Sequence, residues 1–222
     1  PFVLDTIFRK DRPYFIVATT HGSLTTTADI IYHPDRYVLV SEWSRRKVEG
    51  LGVETTLWEY PIENYEFDKS AAQKELGLDP EYKHVLNVGL FASGKNQGEG
   101  VEVARELIES NPDIEFHFIG NQAPNFEDYW GPIMESKPSN CVVHGERSDV
   151  DKFYKAADLF YFTSNFELSP LAVKEALGYG LPTFIKKLHT YKDMYDGKVI
   201  YITNDKAENK NNLLNVSERS VI

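Results

Sequence analysis

The sequence predicts an α/β protein with a mainly parallel sheet that carries helices on both faces. From about residue 84 onward, short apolar runs of strand length alternate with segments whose apolar residues recur at three- and four-residue spacing. This alternation is typical of β–α units, in which each helix connects two parallel strands. Glycine-containing turns follow several of these strands, as in sheets that bind ligands beyond the carboxyl ends of their strands. Together these observations predict a doubly wound sheet.

The first part of the chain, residues 1–65, is interpreted as the end of a first domain together with its linker. Strands are predicted at 14–19, 37–41 and 55–60, where aromatic and β-branched residues cluster. A helix is predicted near 42–50. This part would be the remnant of a second Rossmann-like domain.

The remaining residues, 66–222, are interpreted as one larger domain. A short helix at 70–76 opens it, and the polar run 208–212 is predicted to be a frayed tail. Six strands are predicted, at 84–88, 114–119, 141–144, 159–163, 183–185 and 199–202. The main helices are predicted at 98–109, 150–157 and 171–177.

Composition and charge exclude several classes of protein. The formal net charge is −10, whereas a general nucleic-acid binder needs a basic surface, so we expect no nucleic-acid partner. No apolar run is long enough to cross a bilayer. The single cysteine, Cys141, excludes an internal disulfide and is interpreted as a buried thiol. The sequence shows no secretory signal, so we expect a cytoplasmic protein; the basic cluster 45–47 is either a solvated helix face or a peripheral membrane contact.

The most informative motif places two glutamates eight residues apart, Glu167 in a loop and Glu175 in the following helix. Ser169 is predicted to cap this helix through its hydroxyl, and Pro170 suits the first helical position, where no N–H partner is needed. The open N–H groups at the helix start suit a phosphate. Glu175 has the apolar neighbours Leu171, Ala172, Val173, Ala176 and Leu177, so its carboxylate needs a partner.

Three further segments follow predicted strands. The turn from Gly89 through Lys95 leads into a helix and suits a phosphate, although it matches neither a Walker loop nor GxGxxG. Gly145 would allow close approach of a ligand, while Arg147 either contacts phosphates or pairs with Asp149 or Asp151. His21 follows a strand of the first domain. The other histidines, at positions 33, 84, 117, 144 and 189, show no metal-ligand spacing, so we expect no zinc site.

The motif Glu-x7-Glu followed by Ala-Leu-x-x-Gly-Leu-Pro resembles the signature of retaining glycosyltransferases of the GT-B fold, especially family 4 (glycosyl transferases group 1). By this resemblance, Glu175 would bind the ribose of a donor nucleotide and Glu167 would lie beside the transferred sugar. The backbone amides of Ser169, Pro170 and Leu171 would face the diphosphate, with proline contributing no donor of its own. The family often has glycine where this chain has Leu168.

Other residues match the same family. Gly89 and Lys95 resemble its Gly-Arg-x-x-x-x-Lys segment, with Leu90 in the arginine's place, so Lys95 would pair with the diphosphate. The loop at Gly145 and Arg147 resembles the loop that reads the nucleotide base through its backbone. His21 resembles the histidine that reaches the donor sugar. The resemblance therefore implies catalytic roles for Glu167, His21 and Lys95.

A complete enzyme of this family has two Rossmann-like domains with the active site between them. The resemblance implies a donor-binding domain joined to the remnant of an acceptor domain, and an enzyme that transfers a sugar with retention of configuration. The donor would be a UDP-, GDP- or ADP-sugar and the acceptor a hydroxyl of a glycan, a lipid or a polysaccharide precursor. No metal and no cofactor are expected, and the oligomeric state stays open. Because the chain starts at Pro1 and is short for the family, we expect an incomplete, inactive fragment that lacks much of its first domain.

Two alternative functions are compatible with these residues. One is a GT-B-type nucleotide-sugar epimerase or a sugar phosphorylase, although no segment indicates the pyridoxal-phosphate lysine that phosphorylases need. The other is a non-catalytic nucleotide-binding or assembly module, which the leucine at position 90 makes plausible.

Overall fold

A computed structural model describes residues 2–21, 32–191 and 194–216. Contacts divide the chain into two compact units. The first unit comprises Pro1–Pro61, Glu167–Pro170 and His189–Lys192, and the second comprises Ile62–Phe166, Leu171–Leu188 and Asp193–Ile222. The division of the chain into two domains at residue 65 stays a prediction.

The first unit contains a three-stranded parallel sheet. Its elements are α1 (Phe2–Ile7), β1 (Val17–Thr20), β2 (Arg36–Leu39), α2 (Glu42–Val48) and β3 (Glu54–Leu57), and the strand order is β1-β2-β3. Ser41 caps the start of α2, because its hydroxyl accepts a hydrogen bond from the Ser44 amide at 3.2 Å. The small core of this unit consists of Tyr37, Leu39 and Val48.

The second unit contains a six-stranded parallel sheet in the order β6-β5-β4-β7-β8-β9. The chain runs outward from β4 to β6 and then returns to the other side of β4, so the topological switch lies between β4 and β7. The strands are β4 (Lys83–Val88), β5 (Ile114–Ile119), β6 (Cys141–Gly145), β7 (Leu159–Phe162), β8 (Thr183–Lys186) and β9 (Ile200–Ile202). The helices are α3 (Lys69–Leu76), α4 (Gln97–Leu107), α5 (Glu127–Ser136), α6 (Val150–Ala156), α7 (Leu171–Gly178) and α8 (Lys206–Asn215).

The apolar pattern of the strands explains how the helices pack. Val85 and Phe116 lie on the face of the sheet that α4 covers with Val101, Ala104 and Leu107. Cys141 belongs to the same core, and burial raises the pKa of its thiol to about 12, as expected for an unreactive thiol. Among the described residues, no helix combines the length and the apolar character needed to cross a membrane.

The polar run 208–212 is not a frayed tail, so that prediction is wrong. It lies in α8, which Asp205 caps by accepting hydrogen bonds from the amides of Ala207 and Glu208. The buried Asn209 side chain bonds the backbone of Thr203 through both its oxygen and its nitrogen. The Lys83 ammonium donates to the carbonyls of Leu213 and Leu214 at the other end. Polar residues stabilise this helix because they form hydrogen bonds with the backbone groups at its two ends.

Candidate functional site

The carboxyl ends of neighbouring strands in the second unit are joined into one continuous edge. The Gly89 amide donates to Ile119 O at 2.8 Å, and the Gly120 amide donates to Gly145 O at 2.9 Å. The turns after β4 and β5 pack so closely that a Cβ on Gly120 would lie 1.9 Å from Gly89 O. Glycine at position 120 is therefore required by this close approach, and the edge of the sheet presents backbone rather than side chains.

The buried side-chain amide of Gln97 holds the turn between β4 and α4 in place. Gln97 is 1% exposed, and its Nε2 donates to Leu90 O at 2.8 Å and to Gly89 O at 3.3 Å. Asn96 adopts a left-handed backbone conformation with φ 53° at the start of α4. The turn before it is closed by the Lys95 amide, which donates to Ala92 O at 2.9 Å. The sequence predicted this turn, residues 89–95, but indicated no role for Gln97. We refer to these residues as the Lys95 turn.

The loop after β7, across the topological switch, also forms hydrogen bonds with this turn. The Asn165 amide and the Ser164 hydroxyl donate to Gly94 O at 2.8 and 3.1 Å, and the Thr163 hydroxyl donates to Lys95 O at 3.2 Å. Thr163 and Ser164 are buried. Elements on both sides of the switch thus position Lys95.

The Lys95 side chain lies against this edge of the sheet. Its Cδ and Cγ lie 3.9 and 4.0 Å from where a Cβ on Gly89 would be, and its Nζ lies 5.8 Å from the centre of the Phe162 ring. The next cation, Lys186 at the end of β8, contacts Glu99 at 2.5 Å and Asn165 Oδ1 at 2.9 Å. The structure therefore brings Gly89 and Lys95 together.

The loop after β6 is built differently. Gly145 has φ +69°, and a Cβ placed on it would meet no atom within 4 Å, so its backbone is open. Arg147 makes two 2.8 Å hydrogen bonds to Asp149, and its guanidinium lies 5.6 Å from the centre of the Phe153 ring. Of the two roles predicted for Arg147, the structure shows the ion pair with Asp149. A hydrogen bond from Arg147 lowers the pKa of the Asp149 carboxyl.

The start of α7 corrects two predictions. The helix begins at Leu171, so Pro170 precedes the first helical residue instead of occupying it. The Ser169 hydroxyl is buried and has no hydrogen-bond partner among the described residues, so Ser169 does not cap the helix. Ser169 stands two residues before the helix, one position too early for its side chain to reach the first turn.

Glu175 lies on the exposed side of α7, and the expectation that apolar helix neighbours surround it is wrong. It does have a polar neighbour, as expected: the Tyr154 hydroxyl of α6 lies close enough for the two groups to interact. The pKa of Tyr154 is raised well above its ordinary value, first by burial and then by the nearby Glu175 carboxylate. Tyr154 also donates to Ala172 O at 3.2 Å, which ties α6 to α7. No pattern in the sequence indicated a role for this tyrosine.

The remaining predicted residues belong to the first unit. His21 directly follows β1 and is exposed, and its Nδ1 lies 3.2 Å from the Tyr60 hydroxyl. Glu167 and Ser169 are partly exposed, whereas Pro170 is buried. Contacts between His21 or Glu167 and a donor sugar stay predictions.

Comparison with known proteins adds independent information. Residues 68–211 match the model of the family described as glycosyl transferases group 1. The processive diacylglycerol alpha-glucosyltransferase of Acholeplasma laidlawii is 26% identical over 175 residues, which cover 75% of this chain and 50% of that protein. An Escherichia coli relative, UDP-Gal:alpha-D-GlcNAc-diphosphoundecaprenol alpha-1,3-galactosyltransferase, is 29% identical over 157 residues, with coverages of 68% and 40%. The chain thus spans half or less of the length of these relatives.

Solved structures show the same fold. Sucrose-phosphate synthase from Thermosynechococcus elongatus superimposes with a TM-score of 0.71 at 16% identity, covering 93% of this chain and 59% of that one. Anabaena Alr3699/HepE in complex with UDP and glucose gives a TM-score of 0.69 at 17% identity, covering 82% and 53%. The GT-B fold class predicted from the sequence is confirmed. Since the family match extends from α3 into α8 and includes both the Lys95 turn and α7, this chain belongs to the glycosyl transferases group 1 family.

Proposed function

We propose that this chain is the donor-binding part of a retaining glycosyltransferase, which transfers a sugar from a nucleotide-diphosphate sugar to a hydroxyl acceptor in the cytoplasm. The observation that carries the proposal is the placement of Lys95. Its turn is bound by Gln97 and by Thr163, Ser164 and Asn165 at the topological switch, where doubly wound sheets bind ligands. A cation fixed in this way is suited to a diphosphate.

The chemistry explains why a fixed cation is useful. Cleavage of the sugar–phosphate bond places negative charge on the leaving diphosphate, and a positioned ammonium group stabilises that charge without reorganising during the reaction. We assign this role to Lys95, aided by the backbone amides at the start of α7, around Ser169, Pro170 and Leu171. No metal and no cofactor take part in the proposed reaction.

The rest of the donor would lie along the same edge of the sheet. Glu175, exposed on α7, would accept hydrogen bonds from the ribose hydroxyls. The open backbone at Gly145 would contact the base, and Arg147 would support that loop through Asp149. Glu167 and His21 would act at the transferred sugar. Leu90 replaces the family's arginine, so Lys95 is proposed as the main cation for the diphosphate.

UDP is the nucleotide that we propose to test first. Alr3699/HepE was solved with UDP and glucose, and the E. coli relative is named for UDP-Gal. The acceptor is proposed to be a hydroxyl of a glycan, a lipid or a polysaccharide precursor. The epimerase, phosphorylase and non-catalytic alternatives are not proposed, because the named relatives transfer sugars.

Peripheral contact with a membrane is proposed because the Acholeplasma relative is named for diacylglycerol. The basic cluster 45–47 contributes less to it than its charge suggests, since Arg45 and Arg46 pair with Glu42 and Lys47 lies over the Trp43 ring. Sedimentation of the chain with vesicles containing anionic lipid tests the contact. Protein that stays in the supernatant at low salt would contradict it.

The donor assignment is tested by titrating the chain with UDP, GDP and ADP in calorimetry and thermal-shift experiments. A nucleotide at a hundred times its dissociation constant should stabilise the protein by about 2.7 kcal/mol. Lys95→Gln should weaken binding by roughly 10- to 150-fold, which corresponds to about 1.5–3 kcal/mol for a charged hydrogen bond. Lys198→Gln, at an exposed lysine, serves as the matched control. Equal affinities of the two variants would contradict the role of Lys95.

Retention of configuration needs its own test in a catalytically active form of the enzyme. The coupling constant of the anomeric proton, measured by NMR in the first product formed from an α-linked UDP-sugar, identifies the product anomer. An α-glycoside supports retention, and a β-glycoside contradicts it.

A further inference from the structure

Away from the Lys95 turn, the second unit brings a glutamate and two histidines together in its interior. His84 of β4 is directly paired with Glu115 of β5, and His117 follows two residues later on β5. Side chains two residues apart on a strand point to the same face of a sheet, so all three meet on one face. His84 and His117 are 0% and 2% exposed, whereas the Glu115 side chain is 26% exposed. The proposed sugar transfer uses none of them.

The three potential ligand atoms form a compact triangle. His84 Nδ1 and His117 Nε2 are 3.0 Å apart, Glu115 Oε2 lies 3.3 Å from His117 Nε2, and it lies 3.8 Å from His84 Nδ1. In tetrahedral zinc sites the bonds to nitrogen and oxygen are about 2.0–2.2 Å, which places neighbouring ligand atoms about 3.3–3.6 Å apart. The three separations, 3.0, 3.3 and 3.8 Å, bracket that distance, so small side-chain shifts would let the three atoms share one ion.

The opposite sides of both imidazole rings are already bonded. His84 Nε2 lies 2.8 Å from Asp79 O, which can only accept, so Nε2 carries the proton and the Nδ1 lone pair faces Glu115. Without a metal, His117 Nε2 would donate to this lone pair of His84 at 3.0 Å; a bound ion would displace that proton, and His117 Nδ1, 3.0 Å from His144 Nε2, would then carry the ring's N–H. Metal-binding histidines typically donate their second N–H to a carbonyl or another acceptor in this way.

We propose that His84, Glu115 and His117 form a binding site for a divalent zinc-type cation in the donor-binding part of this protein. Two imidazoles and one carboxylate are a ligand set that zinc accepts, with a fourth position left for water. The ion would cross-link β4 and β5 inside the unit and would orient His144, one residue before Gly145. This site goes beyond the proposed transfer reaction, in which the metal takes no part.

The sequence hid this site because its ligands come from two strands. His84 and His117 are 33 residues apart, so their spacing resembles no short metal motif. Parallel pairing of β4 with β5 brings them together. The expectation of no zinc site, which rested on sequence patterns, is replaced by this proposal.

The experiment uses the purified chain, freed of metal with a chelator and titrated with zinc chloride in calorimetry, with bound metal counted by mass spectrometry. We expect a single zinc ion per chain and a higher melting temperature with zinc. Glu115→Gln keeps the size of the side chain but loses the anionic ligand, and it should weaken zinc binding by at least about tenfold. Two controls should bind zinc like the wild type: Glu109→Gln, at an exposed glutamate, and His189→Gln, at an exposed histidine.

Several outcomes would overturn the proposal. They are absence of zinc binding by the wild type, unchanged binding by Glu115→Gln, and loss of binding in His189→Gln, which would assign the zinc to a surface histidine. If Glu115→Gln fails to fold by circular dichroism, the cobalt(II) spectrum of the wild type decides. Intense tetrahedral d–d bands support the site, and weak octahedral bands leave His84, His117 and His144 as a hydrogen-bonded chain only.

Discussion

The loops after β4 and after β6 lie on the same edge of one sheet but are held in different ways. The turn after β4 is fixed by buried groups, namely the Gln97 amide and the hydroxyls of Thr163 and Ser164. The loop after β6 is open around Gly145 and carries the partly exposed ion pair of Arg147 with Asp149. Buried hydrogen bonds resist rearrangement more than an exposed ion pair does. In the proposed donor site, the rigid turn would suit the diphosphate that nucleotide-sugar donors share, and the open loop would suit the base that differs among them.

The largest expected effect is a difference in stability between alanine variants at two glycines of this edge. Gly120→Ala forces a methyl group to within 1.9 Å of Gly89 O, so the turn after β4 must move, and we expect a loss of about 3 kcal/mol in the free energy of unfolding. In Gly145→Ala the added methyl group meets open space. The free energy of unfolding should fall by only about 1 kcal/mol, because alanine is strained in the left-handed backbone conformation. Urea denaturation of both variants checks the difference. Equal losses would show that the two loops are held alike.

An intermediate effect is expected from the buried amide. Gln97→Met keeps the length of the side chain but leaves Leu90 O without its donor, which should cost about 1–3 kcal/mol in stability. Nucleotide affinity should fall as well, because the Lys95 turn loses its support. Denaturation and calorimetric titration with UDP are the measurements. A variant that loses stability yet binds UDP like the wild type would separate the rigidity of this turn from binding.

The smallest effect is expected at the exposed ion pair after β6. The bond from Arg147 lowers the pKa of Asp149 below its ordinary 3.8 in the folded state. Its stabilisation is therefore fully present above about pH 4 and is lost as the pH falls through the lowered folded pKa. Asp149→Asn should remove this part of the acid sensitivity and change stability little at pH 7. Thermal melts of both proteins between pH 2 and pH 7 test it, and a large loss at neutral pH would contradict the comparison.

Much of the fold was predictable because the signals are local. The strand at Ile114–Ile119 was predicted with its observed bounds, and the helices α4, α6 and α7 differ from prediction by one or two residues at their ends. By contrast, α5 was missed. Gly131 and Pro132 lie inside it and argue against a helix, yet the Trp130 indole donates to Ala123 O and helps to anchor it.

The candidate site was predictable to a similar extent. Gly89, Lys95, Gly145 and Glu175 follow predicted strands or lie on a predicted helix, so sequence order alone places them near the carboxyl ends of the strands. The capping role of Ser169 was wrong because it depended on the first residue of α7, and helix ends shift by a residue or two. The choice between the two roles of Arg147 required the position of Asp149 in space.

By itself, the sequence determined the alternation of strands and helices, the positions of the glycine turns and the spacing of the two glutamates that resembles a glycosyltransferase motif, because all of these are local patterns. The tertiary structure alone decided which side chains meet. The Thr163 hydroxyl supports Lys95 across 68 residues of chain, and His84 faces His117 across 33. Such partners are selected by strand order and register, which arise when the whole sheet buries its apolar faces, and no short stretch of sequence contains that information.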